Sequence, residues 1–384
     1  SSPTEAKYSL SLDGTNDYME LRSQSATSSL TYSVWVNVDA NTSNVLYYGK
    51  TIFRCNTTTE LKYWSDVTQS NITLTVDDYF NKWTHFVVTQ TGTTYTIYQN
   101  GIQKGTGTVA AVSTTQGNSY IGRFSTQYFN GQISQVGIWN AVLDADAVTA
   151  IYNNGSPTNL TFDSGNYDNS SALQGYWRMG NGFFDDKANG IIHDQDNPGF
   201  GSNLVVNADF STNEAADQTY LNGGLQFDNW VEQQSTGLRK FELTSDGQGI
   251  KCTIETANDY TWNQRIYQDV SSILTVGDVY EFSVDVLCSL ARSFEACIET
   301  NGGAGDQFAP DDVALSANTR TVIKKVFRCT ATSYSGSPMT FHLYPIGDVL
   351  PAGEFYEVRN PSLKKLNGNP GITSGGPTFS SDTP

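Results

Sequence analysis

The run Thr31-Tyr-Ser-Val-Trp-Val-Asn-Val38 places Tyr32, Val34, Val36 and Val38 at strict two-residue spacing, with Trp35 on the opposite side. A period of two is the signature of a strand with one face turned to a core, whereas a helix repeats every 3.6 residues. The same rhythm returns at Leu10 and Leu12, in Trp83-Thr-His-Phe-Val-Val-Thr89, in Val279-Tyr-Glu-Phe-Ser-Val-Asp-Val-Leu287 and in Met339-Thr-Phe-His-Leu-Tyr344. Between Thr94-Tyr-Thr-Ile-Tyr98 and Ile102 stands Asn100-Gly101, the dipeptide that best forms a type I′ hairpin turn. Only Asp144-Ala-Asp-Ala-Val-Thr-Ala-Ile-Tyr152 reads as a helix, with Asp144 as N-cap and Asn153-Asn154-Gly155 as its stop. The chain is therefore expected to be all-β.

At 384 residues it is too long for one ordinary sandwich and suits two. Only 16% of residues are charged, so the polar surface must come from Ser, Thr, Asn and Gly, which also supply turns. The net charge of −17 repels phosphate backbones and argues against nucleic acid as a partner. No run of about 18 apolar residues is present to insert into a membrane. The five cysteines, Cys55, Cys252, Cys288, Cys297 and Cys329, have no paired spacing, and read as buried free thiols of a chain folded in a reducing cytoplasm.

The opening Leu12-Asp-Gly-Thr-Asn-Asp-Tyr18, the Tyr-x-Val-Trp-Val strand, the Trp83 strand and the Tyr95-x-Ile-Tyr-x-Asn-Gly101 hairpin resemble the concanavalin-like, laminin-G jelly-roll family. So does the closing Ile121-Gly-Arg…Phe129-x-Gly-x-Ile-x-x-Val-x-Ile-Trp-Asn-Ala-x-Leu143. The resemblance implies a first β-sandwich over residues 1–158. Residues 159–202, rich in Asn, Asp, Gly and Ser, read as a linker with an anchored Tyr176-Trp177 segment. The stretch from 203 to 366 resembles the jelly-roll carbohydrate-binding modules associated with xylanases and glucanases. The residues that carry this are Asn203-Leu-x-x-Asn-x-x-Phe210, Gln268, Gly277-Asp-Val-Tyr-Glu-Phe-Ser283 and the final strand 355–365. Residues 367–384 read as an irregular tail. The Gly175-Tyr-Trp-Arg-Met-Gly-Asn-Gly182 stretch and that tail are also similar to virion structural proteins of marine tailed phages.

From this resemblance follows the expectation of a non-catalytic structural and recognition protein on the exterior of a phage particle, made in the host cytoplasm: a fibre, tail-associated or capsid-decorating component. Its expected partners are other virion proteins, further copies of itself in a homo-oligomer such as a trimer, and host-surface glycans. A secreted or surface lectin-like adhesin, and a glycoside hydrolase or lyase on the concanavalin-like fold, are the alternatives.

Catalytic signals are sparse. The three histidines, His85, His193 and His342, include two inside strands, read as ordinary sheet residues, and no Gly-x-Ser-x-Gly elbow occurs. Asp185-Asp186 and Asp194-x-Asp196 read as solvated turns of the linker. Sugar recognition needs an aromatic face for the C–H side of the ring and polar groups for its hydroxyls. Tyr260, Trp262 and Tyr267 with Asn263 and Arg265 supply both, and Trp230 is a second candidate platform. Trp262 and Tyr267 read equally as core. Trp35, Trp83 and Trp139 belong to the core. A structural Ca²⁺, which the carbohydrate-module resemblance implies, would draw on Asn207, Asp209 and Glu357; the alternative for the Asx pair is turn capping.

Overall fold

The computed structural model describes residues 6–22, 27–39, 43–48, 51–65, 72–111, 119–215, 224–233, 237–257, 264–300, 313–347 and 349–384. Among the described residues the chain is all-β but for the helix Ala145–Tyr152 and short 3-10 turns. It forms two compact units: Ser1–Gly199 together with Leu366–Pro384, and Phe200–Lys365.

In unit 1, one sheet runs Ile102–Thr108, Thr94–Gln99, Thr84–Thr91, Ser29–Val38, Asn130–Trp139, Ser9–Asp13, Thr378–Ser380, with Leu173–Trp177 also paired to Asn130–Trp139. The second runs Ile191–Ile192, Gly371–Ser374, Tyr18–Leu21, Ser119–Ile121, Ser43–Tyr48, Thr51–Thr57, Glu60–Ser65, Ile72–Thr75. Tyr32, Val34, Val36 and Val38 enter the core between them, as the alternation requires. The Asn100-Gly101 turn closes its hairpin with φ of 51° and 77°, the left-handed values a type I′ turn demands. Asp144 caps the helix by accepting from Ala147 N at 2.8 Å, and Asn153, left-handed at φ 48°, ends it.

Two segments behave differently from the linker and irregular tail expected of them. Residues 159–199 belong to unit 1, where Tyr176 and Trp177 are fully buried in a strand paired with Val136–Trp139. The tail adds a strand to each sheet: Thr378–Ser380 beside Ser9–Ser11, and Gly371–Ser374 between Tyr18–Glu20 and Ile191–Ile192. A Cβ at Gly371 would lie 2.3 Å from Met19 Sδ, so any larger residue here would force the buried Met19 side chain to move. Trp177 Nε1 donates to Asn369 O at 2.8 Å, and Asn367 N to Gly199 O at 3.0 Å. Unit 1 is thus completed by chain from beyond unit 2, which is an insertion whose flanking residues are hydrogen-bonded to each other.

The acidic clusters are structural as well. Asp194 is 1% exposed and accepts from the backbone N–H of Tyr176, Asp196 and Asn369 at 2.9, 3.1 and 3.0 Å. Asp185 accepts from Gly180, Gly182 and His193 at 3.0, 2.9 and 2.7 Å. Burial pushes both carboxyls up to about 6 despite these bonds. The reading of both as solvated turns is corrected: each organises backbone that would otherwise carry buried, unmet donors.

Unit 2 pairs Arg239–Leu243, Gly249–Ile254, Phe355–Leu366, Val279–Cys288 and Thr321–Arg328 in one sheet, with Phe200–Asn203 on Phe355–Leu366. The facing sheet runs Val231–Glu232, Ile266–Asp269, Ser337–Ile346, Arg292–Thr300, Val313–Leu315. Phe282, Val284, Val286, Phe294, Ile298, Phe341 and Leu343 fill the space between. Gln268 is a buried clamp: its amide accepts from Val206 N at 2.9 Å and donates to Val206 O and Asn229 O at 2.9 and 3.1 Å. All five cysteines are buried and none is in a disulfide.

Candidate functional site: the outward face of a unit 2 sheet

Three neighbouring strands of unit 2 send alternate residues outward. Ile266, Phe294, Ala296, Ile298, Phe341 and Leu343 lie in the core, so Tyr267, Asp269, Glu295, Cys297, Glu299, Thr340, His342 and Tyr344 share the other face. Register sets them in rows: Tyr267 opposite His342 opposite Cys297, and Asp269 opposite Thr340 opposite Glu299. Tyr344 stands opposite Glu295, with Arg265 just before the Tyr267 strand.

Tyr267 is half-buried, meets the His342 ring edge-on at 5.3 Å between centroids, and has the Arg265 guanidinium 5.5 Å from its own centroid. Arg265 Nη2 donates to Gln233 Oε1 at 3.1 Å, and Gln233 N donates to Arg265 O at 3.0 Å. Burial, then the adjacent Glu295 carboxylate, hold the Tyr344 phenol protonated. Deeper in the face, His342 Nδ1 pairs with Glu299 Oε1 and its Nε2 with Thr340 Oγ1. Thr340 Oγ1 donates to Glu299 O at 3.1 Å, and the Cys297 thiol to Glu295 Oε1 at 3.1 Å. On this face Asp269 is exposed and Tyr267, Glu295 and Tyr344 are half-buried, whereas Arg265, Cys297, Glu299, Thr340 and His342 are buried.

Of the residues expected to bind sugar, Arg265 and Tyr267 stand together here. Tyr260, Trp262 and Asn263 lie outside the described residues. Trp230 is not a platform: it is 3% exposed, packs on Phe210 and Phe341, and donates Nε1 to Asn207 O at 3.1 Å. Trp35 and Trp139 are buried as expected, while Trp83 is half-buried with Nε1 donating to Asp382 Oδ1 at 3.1 Å.

The three residues expected around calcium have separate partners. Glu357 pairs with Arg320, and with Arg359 at 3.4 Å. Asn207, left-handed at φ 50°, donates to Thr212 O and Asp228 O at 2.8 and 3.0 Å; Asp209 accepts from Ser211 N and Oγ at 3.2 and 2.9 Å. Asn207 and Asp209 are thus occupied with the turn-organising contacts that were the alternative.

Sequence reasoning missed Glu295, Glu299, Thr340, His342 and Tyr344, and saw Cys297 only as a buried thiol. The signal was present in the alternation of Phe294-Glu-Ala-Cys-Ile-Glu299 against Met339-Thr-Phe-His-Leu-Tyr344. What the sequence lacked was the register that sets Cys297 opposite His342.

Residues 13–149 match the family model described as the concanavalin A-like lectin/glucanases superfamily, Laminin_G_3. No curated protein matches the chain. Among solved structures, a putative carbohydrate-binding protein from Bacteroides ovatus is similar at 19% identity and a TM-score of 0.39, covering 50% of this chain and 56% of that one. The heptameric SAP-like pentraxin from Limulus polyphemus is similar at 14% identity and 0.35, covering 41% and 85%. The CBM22-1 xylan-binding domain from Paenibacillus barcinonensis is similar at 14% identity and 0.26, covering 40% and 97%. At these scores no function passes from them to this chain.

Proposed function

We propose that the chain is a non-catalytic glycan-binding protein whose ligand lies on the outward face of the Ile266–Asp269, Ser337–Ile346, Arg292–Thr300 sheet. The observation that carries the reading is the placement of Tyr267 beside Arg265 on a sheet face otherwise lined by hydrogen-bonding side chains. An aromatic ring takes the C–H side of a pyranose, and the Arg265 guanidinium with the exposed Asp269 and half-buried Glu295 carboxylates takes its hydroxyls. The lectin-containing superfamily matched by residues 13–149 agrees with sugar as the ligand class.

Catalysis is not part of the proposal. Glycosidases use two carboxyl groups set across a bond, one of them protonated. Here Glu299 is paired with His342, and Glu295 with the Cys297 thiol. Incubating the full chain with a polysaccharide panel and assaying for released reducing ends tests this; any turnover sensitive to Glu299→Gln contradicts it.

The finer reading places the protein on the outside of a phage particle as a homo-oligomer, where weak single sites gain strength by repetition. Its support is the resemblance of residues 175–182 and of the tail, segments that the fold joins in unit 1 through Trp177 and Asn369. Mass spectrometry of purified particles, with light scattering of the isolated chain, tests both parts. The glycan proposal is tested on an array with the full chain, beside Tyr267→Ala and Trp262→Ala.

A further inference from the structure

His342, Glu299 and Cys297 form a group that neither the sugar reading nor the expected calcium site uses. Cys297 and His342 face each other across adjacent strands, Glu299 is two residues beyond Cys297 on the same face, and all three are buried. One donor atom from each lies within 4.8 Å of the others.

His342 Nδ1 pairs with the Glu299 carboxylate and its Nε2 with Thr340 Oγ1, which also reaches Glu299 O at 3.1 Å. The hydrogen shared between Nδ1 and the carboxylate is the one that a metal ion would displace. The Cys297 sulfur lies beside the same point.

We propose that Cys297 Sγ, His342 Nδ1 and a Glu299 carboxylate oxygen bind one Zn²⁺. The mixed sulfur, nitrogen and oxygen set suits Zn²⁺, whereas Ca²⁺ requires six to eight oxygens. Zinc binds such ligands at about 2.0–2.3 Å, and the three donors already lie within 4.8 Å of one another. Thr340 completes the arrangement as the partner of the non-ligating ring nitrogen, which holds the imidazole in the ligating orientation. On loading, the ion takes the place of the hydrogen between His342 and Glu299, the imidazole ligates through Nδ1 with its own hydrogen on Nε2, and the Cys297 thiol gives its proton to solvent. Three protein ligands leave one position for water. The site stands apart from the glycan proposal and does not depend on it.

The test uses the full chain, kept reduced, stripped by chelator dialysis and titrated with Co²⁺ as a spectroscopic stand-in for zinc. The expected result is a thiolate-to-cobalt charge-transfer band with tetrahedral visible bands, saturating at one equivalent and erased by one equivalent of Zn²⁺. Cys297→Ser abolishes the charge-transfer band, and His342→Gln weakens binding at least a hundredfold, roughly the loss of a full ligand. Thr340→Val weakens it about tenfold, and Cys329→Ala changes nothing. Absence of the band from the wild type, its persistence in Cys297→Ser, or its loss in Cys329→Ala overturns the proposal. Should Cys297→Ser fail to fold, the wild-type spectrum and the affinity of His342→Gln decide the matter.

Discussion

Each unit carries a histidine on the outward face of a sheet, and the two have opposite fates. His85 lies on the Thr84–Thr91 strand with its ring stacked 4.8 Å from Trp35 and 6.0 Å from Tyr152, and Nε2 2.7 Å from Ser33 Oγ. That face is closed by the helix and the segment after it, and a second apolar cluster of Trp139, Leu143, Val148, Ile151, Tyr167 and Tyr176 forms there. Burial alone pulls the imidazole down to about 3, which leaves it a neutral packing ring. His342 instead has a carboxylate, a hydroxyl, a thiol and a tyrosine ring around it. A strand histidine becomes chemistry or filling according to what the neighbouring strands and the covering segment bring to its face.

The comparison breaks most visibly if the closed face is opened. Trp139 is fully buried and donates Nε1 to Tyr167 Oη at 2.9 Å. Trp139→Ala is expected to cost unit 1 about 3–5 kcal/mol. Hydrogen exchange followed peptide by peptide assigns the loss to unit 1 and avoids treating a two-unit chain as one transition. Asp194→Ala comes next, at about 2–3 kcal/mol, because two buried N–H groups, of Tyr176 and Asn369, and the part-buried one of Asp196 lose their acceptor. Faster exchange should then reach the Gly371–Ser374 strand, which Asn369 anchors.

Titration separates the groups within unit 1. His85 has a depressed folded value, so the unfolded chain binds the extra proton, and its contribution is lost as pH falls from about 6.5 toward about 3. Asp185 and Asp194 have raised values, so the folded chain holds the extra protons, and their contribution is lost as pH rises from about 4 to about 6. Urea melts from pH 4 to 6.5 should therefore show His85→Asn flattening the acid loss and Asp194→Asn steepening it. The same slopes in both variants would contradict the assignment. The smallest stability effect belongs to unit 2: Tyr267→Ala should cost it about 1 kcal/mol or less, since that ring is only half-buried.

The sequence made the strands legible because alternation is a local property. Tyr32 to Val38, the Asn100-Gly101 turn and the Asp144 cap could each be read from a few residues. Long-range closure was not legible. Residues 367–384 are rich in Gly and Pro and look like a tail, yet their place in unit 1 depends on Trp177, Asp194 and Met19, nearly two hundred residues or more away. The site was legible to the same extent. Arg265 and Tyr267 are close in sequence and could be grouped, whereas the meeting of Cys297, Glu299 and His342 needed the pairing of two strands. Trp230 misled because aromatic residues in sugar sites and in cores look alike until burial is known.

The most direct test of the glycan-binding account is calorimetric titration of the full chain with the best ligand from a glycan array, for the wild type, Tyr267→Ala and Trp139→Phe. The account predicts binding by the wild type, at least a tenfold loss in Tyr267→Ala, and no change in Trp139→Phe, whose ring belongs to the closed face of unit 1. Equal affinity in the wild type and Tyr267→Ala, or no glycan bound by the wild type, would contradict it.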